Sequence, residues 1–371
     1  MNDPVDRPMR THGGQASALA GELGCPVEAV LDFSASLNPL GPPAEALAAA
    51  QAALAEICHY PESDAASLAK ALAAHHGLPD DCVLAGAGAT EFIFLVPRVL
   101  RPRRILLVEP AFSEYRPALS QAGARIDSFQ LNPGNDFRLD PATLGRALHP
   151  DTDLVWLANP LNPSGTGYPR EQLLQLAAAL PTTARLVIDE AFIDFAPHLS
   201  LAEQVVTCSN LIILRSLTKF YALAGLRIGW LAATPHLTSQ LAAGREPWRL
   251  STPAIAAGIA CLQADALRTA TLQAMPLLRN ELTTGLVKLG CTVSPSVANY
   301  LLCRLPAVAT AGEIARRLRP RRVLVRTCSD FAGLDDRYLR LAVRSAADNR
   351  HLLDELARLI DQGPFVQGGA N

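Results

Sequence analysis

Lys219 stands where a lysine needs a reason. It follows the apolar run Leu211 to Leu214, with Ser216 and Thr218 just before it and Arg227 eight residues on, in the stretch LRSLTKFYALAGLRIGW from Leu214 to Trp230. Most lysines are solvated surface residues. One set between two apolar runs, with hydroxyls and an arginine beside it, suits another use. It would be an amine kept neutral enough to attack a carbonyl, with the hydroxyls and guanidinium gathered around a phosphate.

Ligands of parallel α/β sheets sit at the carboxyl ends of the strands, so the residues after each apolar run carry the interest. After Val83-Leu84 comes GAGATE, Gly86 to Glu91, in which Gly88, Ala89 and Thr90 lead into an apolar helix expected to begin near Thr90. Glycines admit close backbone approach, and the first amides of a helix suit a phosphate. A turn of this kind, standing alone, is more often only a turn. After Leu154 to Ala158 comes NPLNPSG, Asn159 to Gly165, either a proline-bounded loop or a place from which the Asn162 amide donates to an anionic ring oxygen. After Leu186 to Ile188 come Asp189 and Glu190. A strand-end carboxylate is often just a cap, but one kept ionised beside a pyridinium would hold a heterocyclic nitrogen protonated.

The elements that must position these residues follow from the pattern. Short apolar runs at 105–108, 154–158, 186–188 and 211–214 alternate with helical periodicity, which argues for an α/β fold: a mostly parallel sheet covered by helices on both faces. Residues 1–45, rich in Pro and Gly, read as an N-terminal arm joining a small domain; 46–275 read as the large domain, and 276–371 as a smaller α+β domain. One long helical stretch, Ala254 to Leu289, is expected to be interrupted at Pro276, and Val323 to Arg326 is expected to form a single strand.

At 371 residues the chain can bury two substantial cores. With 33 Lys and Arg against 35 Asp and Glu, nothing in the charge favours nucleic acid or an anionic membrane, and the expected partner is a small molecule. The N-terminus has no apolar signal region and no stretch matches a membrane span, so a cytoplasmic enzyme is expected. Eight scattered cysteines form no CxxC pair and no histidine stands at ligand spacing, so they read as reduced thiols and no metal is expected.

The ordered set Asn162, Asp189, Lys219 and Arg227, in the words NPSG, DEAF, SLTK and GLRIG, resembles the fold type I pyridoxal-phosphate enzymes of the class I/II aminotransferase family. The resemblance runs from about Asp32 to Ile360, and its nearest branch is similar to the histidinol-phosphate aminotransferases. It implies pyridoxal 5'-phosphate as cofactor, with Lys219 bonded to its aldehyde carbon, Asp189 paired with the pyridine nitrogen and Asn162 facing the ring oxygen. The phosphate would be held by Gly88, Ala89, Thr90, Ser216, Thr218 and Arg227, and by Tyr60, in HYPES, from the partner subunit of a homodimer. Phe112 in PAFSEY would stack on the ring, with Tyr115 as second candidate, and Arg340 in LRLAV would bind the substrate α-carboxylate in a bidentate way. Two positions depart from the aminotransferase pattern: Phe192 stands where the branch usually has tyrosine, and Thr90 where it more often has aspartate.

Four further words, HGG at 12–14, DFSASLNPLGPP at 32–43, VLVRTCSDFAGL at 323–334 and LRLAVRSAADN at 339–349, are similar to those of threonine-phosphate decarboxylases of cobalamin synthesis. This implies loss of CO2 from L-threonine O-3-phosphate to give (R)-1-amino-2-propanol O-phosphate. Arg326 and Arg340 would hold the carboxylate, with Asn38 near it. His12, the Gly13 and Gly14 amides, and Arg344 would be candidates for the substrate phosphate, Arg344 being equally readable as a surface ion pair. A histidinol-phosphate aminotransferase would share every cofactor residue, and a catalytically silent relative is the alternative from another class.

Overall fold

The structure, a computed structural model, describes residues 13–361. His12 lies outside the described residues. The arm brings a short helix, Ala16–Leu23, closed by Gly24 in the left-handed region, and then strand β1 (Leu31–Asp32). The strands that follow are β2 (Val83–Gly86), β3 (Arg104–Glu109), β4 (Arg125–Gln130), β5 (Leu154–Ala158), β6 (Arg185–Asp189), β7 (Leu211–Ser216) and β8 (Gly229–Ala233). They form one seven-stranded sheet in the order β2-β8-β7-β6-β5-β3-β4.

Every pairing in that sheet is parallel except those of β8, which runs antiparallel to both β2 and β7. The carboxyl ends of the six parallel strands therefore share one edge, and β8 brings its amino end to the same edge. This topology sets Gly86 and Ser216 level with Gly229, which pairs with both, while Asp189 pairs with Leu214, two residues before Ser216. Alternate residues of the central strands enter two separate apolar cores. Val155, Leu157, Leu186 and Ile188 face one, while Leu154, Trp156, Val187 and Ile212 face the other. A strand buried on both faces must be apolar throughout, which is why these runs are visible in the sequence. Edge strand β4 reads RIDSFQ and is only half buried, so no apolar run announces it.

Beyond the sheet, helices Thr252–Cys261 and Asp265–Lys288 lead to β9 (Thr292–Val293) and β10 (Tyr300–Arg304). The break in the expected long helix falls at 262–264, and Pro276 lies within a continuous helix. The run expected as a single strand is two. β11 (Val323–Leu324) pairs in parallel with β1, and β12 (Arg326–Thr327) pairs antiparallel with β13 (Tyr338–Ala342). Four strands, in the order β12-β13-β10-β9, make the small sheet. One apolar cluster runs from the large sheet to this one, holding Ile188 and Ile213 together with Leu302 and Leu341.

Candidate active site

Asp189 ends β6 almost fully buried. Its Oδ2 accepts a 2.6 Å hydrogen bond from the Tyr115 hydroxyl, and its Oδ1 accepts from the Ala191 amide at 2.9 Å. Burial nevertheless raises its pKa, against the pull of those two donors and of Lys219. A buried carboxylate in this condition calls for a proton or a cation opposite it. Glu190, the neighbouring acid, belongs elsewhere. It accepts from Ser200 and the Leu201 amide and pairs with Arg215, which also holds Asp194.

Lys219 follows β7, partly buried, with its Nζ 5.8 Å from the centre of the Phe192 ring. Burial, and then the charges of Arg340 and Arg227, bring its pKa down from 10.5 to about 8, with Asp189 opposing. A substantial neutral fraction at slightly alkaline pH is what a carbonyl-attacking amine requires. The loop that carries it is braced from the arm. The Asn38 amide N–H donates to the Lys219 carbonyl at 3.0 Å, and Asn38 Nδ2 donates to the Phe220 carbonyl and to Thr271 Oγ1, each at 2.8 Å. Its Oδ1 accepts from the Leu40 amide. The Asn38 side chain, expected near the substrate carboxylate, holds the lysine loop.

Asn162 is buried, and its Oδ1 accepts from Arg340 Nη1 at 2.8 Å. That bond assigns Oδ1 as the acceptor and leaves Nδ2 as a donor for another group. Arg340 also donates through Nη2 to the Ser34 carbonyl at 3.0 Å, lies 5.5 Å from the Tyr300 ring centre, and keeps a buried Nε with no hydrogen-bond partner among the described residues. Arg326 sits directly across from it on β12, but its guanidinium is paired with Asp330 at 2.6 Å and with the Thr327 carbonyl. Arg344 is likewise tied to Asp348 at 3.1 Å and to the Asp32 carbonyl.

After β2, the helix expected near Thr90 begins at Gly88. Gly88 has φ +78, and a Cβ there would lie 3.0 Å from Arg227 Nη2. Arg227, exposed and itself at φ 55, is held by the Ala224 carbonyl. Ser216 and Thr218, both buried, bond to each other at 2.7 Å. Gly229 was not singled out from the sequence, although GLRIG ends on it. A Cβ there would come within 2.4 Å of Gly88 C and 2.5 Å of Ala89 N, so only glycine lets β8 pass over this turn.

The aromatic residues divide. Tyr115, second candidate for ring stacking, is buried beneath the site with its hydroxyl committed to Asp189; Phe112 meets it edge-on at 5.7 Å and lies nearer the surface. Phe192 packs edge-on against Tyr300 at 4.8 Å. Tyr60 is 82% exposed, its ring tilted 32° against Trp248 with centroids 4.9 Å apart, with no hydrogen bond to the Lys219 cluster among the described residues.

The donor set fits pyridoxal 5'-phosphate. A proton-seeking buried carboxylate suits the ring nitrogen, a lysine of lowered pKa the aldehyde, an oriented amide donor the ring oxygen, and a side-chain-free turn beside an arginine the phosphate.

The model of the family described as aminotransferase class I and II matches residues 28–356. Threonine-phosphate decarboxylase of Salmonella typhimurium is 39% identical over 94% of this chain and 96% of that protein. Histidinol-phosphate aminotransferase 2 of Ralstonia nicotianae is 31% identical over 94% of each. The crystal structure of L-threonine-O-3-phosphate decarboxylase from Porphyromonas gingivalis superposes with a TM-score of 0.82 at 27% identity, covering 90% of this chain and all of that one.

Proposed function

The chain belongs to the aminotransferase class I and II family, and from that premise we propose that it is a pyridoxal-phosphate-dependent carboxy-lyase. It removes CO2 from L-threonine O-3-phosphate to give (R)-1-amino-2-propanol O-phosphate, a step of cobalamin synthesis. The observation that carries the choice of reaction is the 39% identity to a threonine-phosphate decarboxylase over nearly the full length of both chains. Histidinol-phosphate aminotransferase is the second reading, favoured by a relative at 31% identity over an equal share of this chain.

When bound, pyridoxal 5'-phosphate supplies an aldehyde for covalent attachment of the amino acid and a ring that accepts electrons from a bond held perpendicular to it. The rest is done by the chain. Asp189, its two oxygens fixed by Tyr115 and Ala191, holds a proton on the ring nitrogen. Asn162 Nδ2 donates to the ring oxygen, and with Phe192 in the place of a tyrosine it does so without a second side-chain donor from that position. Gly88, Ala89, Thr90, Ser216, Thr218 and Arg227 cradle the phosphate. Arg340 would take the substrate carboxylate and so orient the groups at the α-carbon. Phe192, packed on Tyr300, sets apolar surface beside the lysine. Lys219 Nζ returns a proton to the α-carbon after CO2 has left, so the product keeps its amine.

The enzyme works in the cytoplasm as a homodimer in which Tyr60 of each copy reaches the other's phosphate. The exposure of Tyr60 and Trp248 supports the pairing, and no helix among the described residues is long and apolar enough to cross a membrane. The test is incubation of the cofactor-loaded protein with L-threonine O-3-phosphate. CO2 should appear with no keto acid present. Consumption of 2-oxoglutarate with histidinol phosphate, and no CO2, would instead establish the aminotransferase.

A further inference from the structure

Two guanidiniums face each other across β12 and β13, and they are held differently. Arg326 is neutralised by Asp330 at 2.6 Å. Arg340 donates, among the described residues, to two uncharged oxygens, the Asn162 amide and the Ser34 carbonyl, and feels the Asp330 charge without a hydrogen bond to it. A carbonyl orients a guanidinium without cancelling its charge, so Arg340 is the less neutralised of the two and the better placed to attract an incoming carboxylate.

The Ser34 carbonyl is itself firmly located. Ser34 is 5% exposed, and its amide and hydroxyl both donate to Asp32 Oδ1, at 2.8 and 2.5 Å. Its Oγ accepts the Gly14 amide at 2.9 Å. Gly13 lies directly on the carbonyl, where an added Cβ would stand 2.1 Å from the oxygen. The neighbouring Phe33 carbonyl accepts from the Ala342 amide at 2.8 Å, pinning this part of the arm along β13 two residues beyond Arg340.

We propose that Ser34 is a positioning residue, which locks the arm so that its own carbonyl aims the charged Arg340 at the substrate carboxylate. The inference rests on the role given to Arg340 above. Substrate discrimination is then set partly by a turn, Gly13-Gly14, far away in the sequence.

The test compares two ligands that differ only in the carboxylate, L-threonine O-3-phosphate and (R)-1-amino-2-propanol O-phosphate, on cofactor-loaded wild type, Ser34→Ala and Gly13→Ala. Losing a buried hydrogen-bond link of this kind should raise KM for the amino acid about 10-fold. The inhibition constant of the amine should stay within about 2-fold, because the amine makes no demand on Arg340. Gly13→Ala, which must displace the carbonyl, should change the ratio in the same direction. Equal losses for both ligands, or no loss for either, overturn the proposal. The absorbance of bound cofactor separates a variant that has failed to fold. If the wild type does not turn over threonine phosphate, the reaction assigned above fails on its own. The positioning role is then read from glutamate against 4-aminobutanoate, with the same expected and contrary results.

Discussion

Replacing Lys219 with methionine in protein stripped of its cofactor should make the folded state more stable at neutral pH. Methionine keeps the length of the side chain and removes only the ammonium. The pKa of Lys219 falls from 10.5 to about 8 on folding, which corresponds to a cost of about 3 kcal/mol for keeping the charge. Below pH 8 the lysine is charged in both states and the folded state carries that whole cost. Between pH 8 and 10.5 the folded lysine is neutral while the unfolded one still binds a proton, so wild-type stability rises with pH through that window. Above it both are neutral and the difference from methionine vanishes. The variant should therefore lead by about 3 kcal/mol at pH 7, or about 4 °C in Tm for a chain of this length, and lose its lead by pH 10.5. Urea and thermal unfolding at one protein concentration, at several pH values, measure this. A methionine variant no more stable than wild type at pH 7, or two curves that run parallel from pH 8 to 10.5, would refute the argument that this amine is held against its own charge.

Other outcomes follow from the same geometry. Tyr115→Phe removes a charge-assisted bond to Asp189, worth about 1.5–3 kcal/mol; kcat should fall about 10- to 100-fold, and the acid limb of its pH profile should move to higher pH because the Asp189 carboxyl, already raised by burial, loses a stabilising donor. Gly88→Ala puts a methyl group 3.0 Å from Arg227 Nη2 at a positive φ, so cofactor titration should show affinity weakened about 10-fold or more. Mixing Tyr60→Ala with Lys219→Ala proteins, each inactive alone, should recover about a quarter of the wild-type sites if Tyr60 serves the partner's phosphate; no recovery after subunit exchange would place Tyr60 in its own site or in none.

What could be read from the sequence was whatever lies at the end of a doubly buried strand. Asp189 and Lys219 were legible because the runs before them are apolar on both faces, and parallel topology then puts their ends on one edge. Arg340 was found only through resemblance, since its partners Asn162 and Ser34 lie 178 and 306 residues away and local pattern carries no trace of them. The double life of the 323–327 segment was hidden for a similar reason: no Gly or Pro marks Val325, where the chain leaves one strand partner for another. Tyr115 looked like a stacking residue because its hydroxyl's acceptor, 74 residues on, could not be seen. Pro276 misled in the opposite direction, for packing carries a helix through it.

The pairing of β1 with β11 joins Leu31-Asp32 to Val323-Leu324, almost the whole chain apart. On the ribosome, β1 is made early and meets its strand partner late, although Asn38 just after it can meet Lys219 and Thr271 sooner. Until about residue 324 has emerged, the arm has no strand to join, however complete the seven-stranded sheet is by then. If the roles proposed for Lys219 and Arg340 hold, biosynthesis builds the cofactor cradle before the substrate clamp, and a nascent chain should capture pyridoxal phosphate before it can distinguish one amino acid from another.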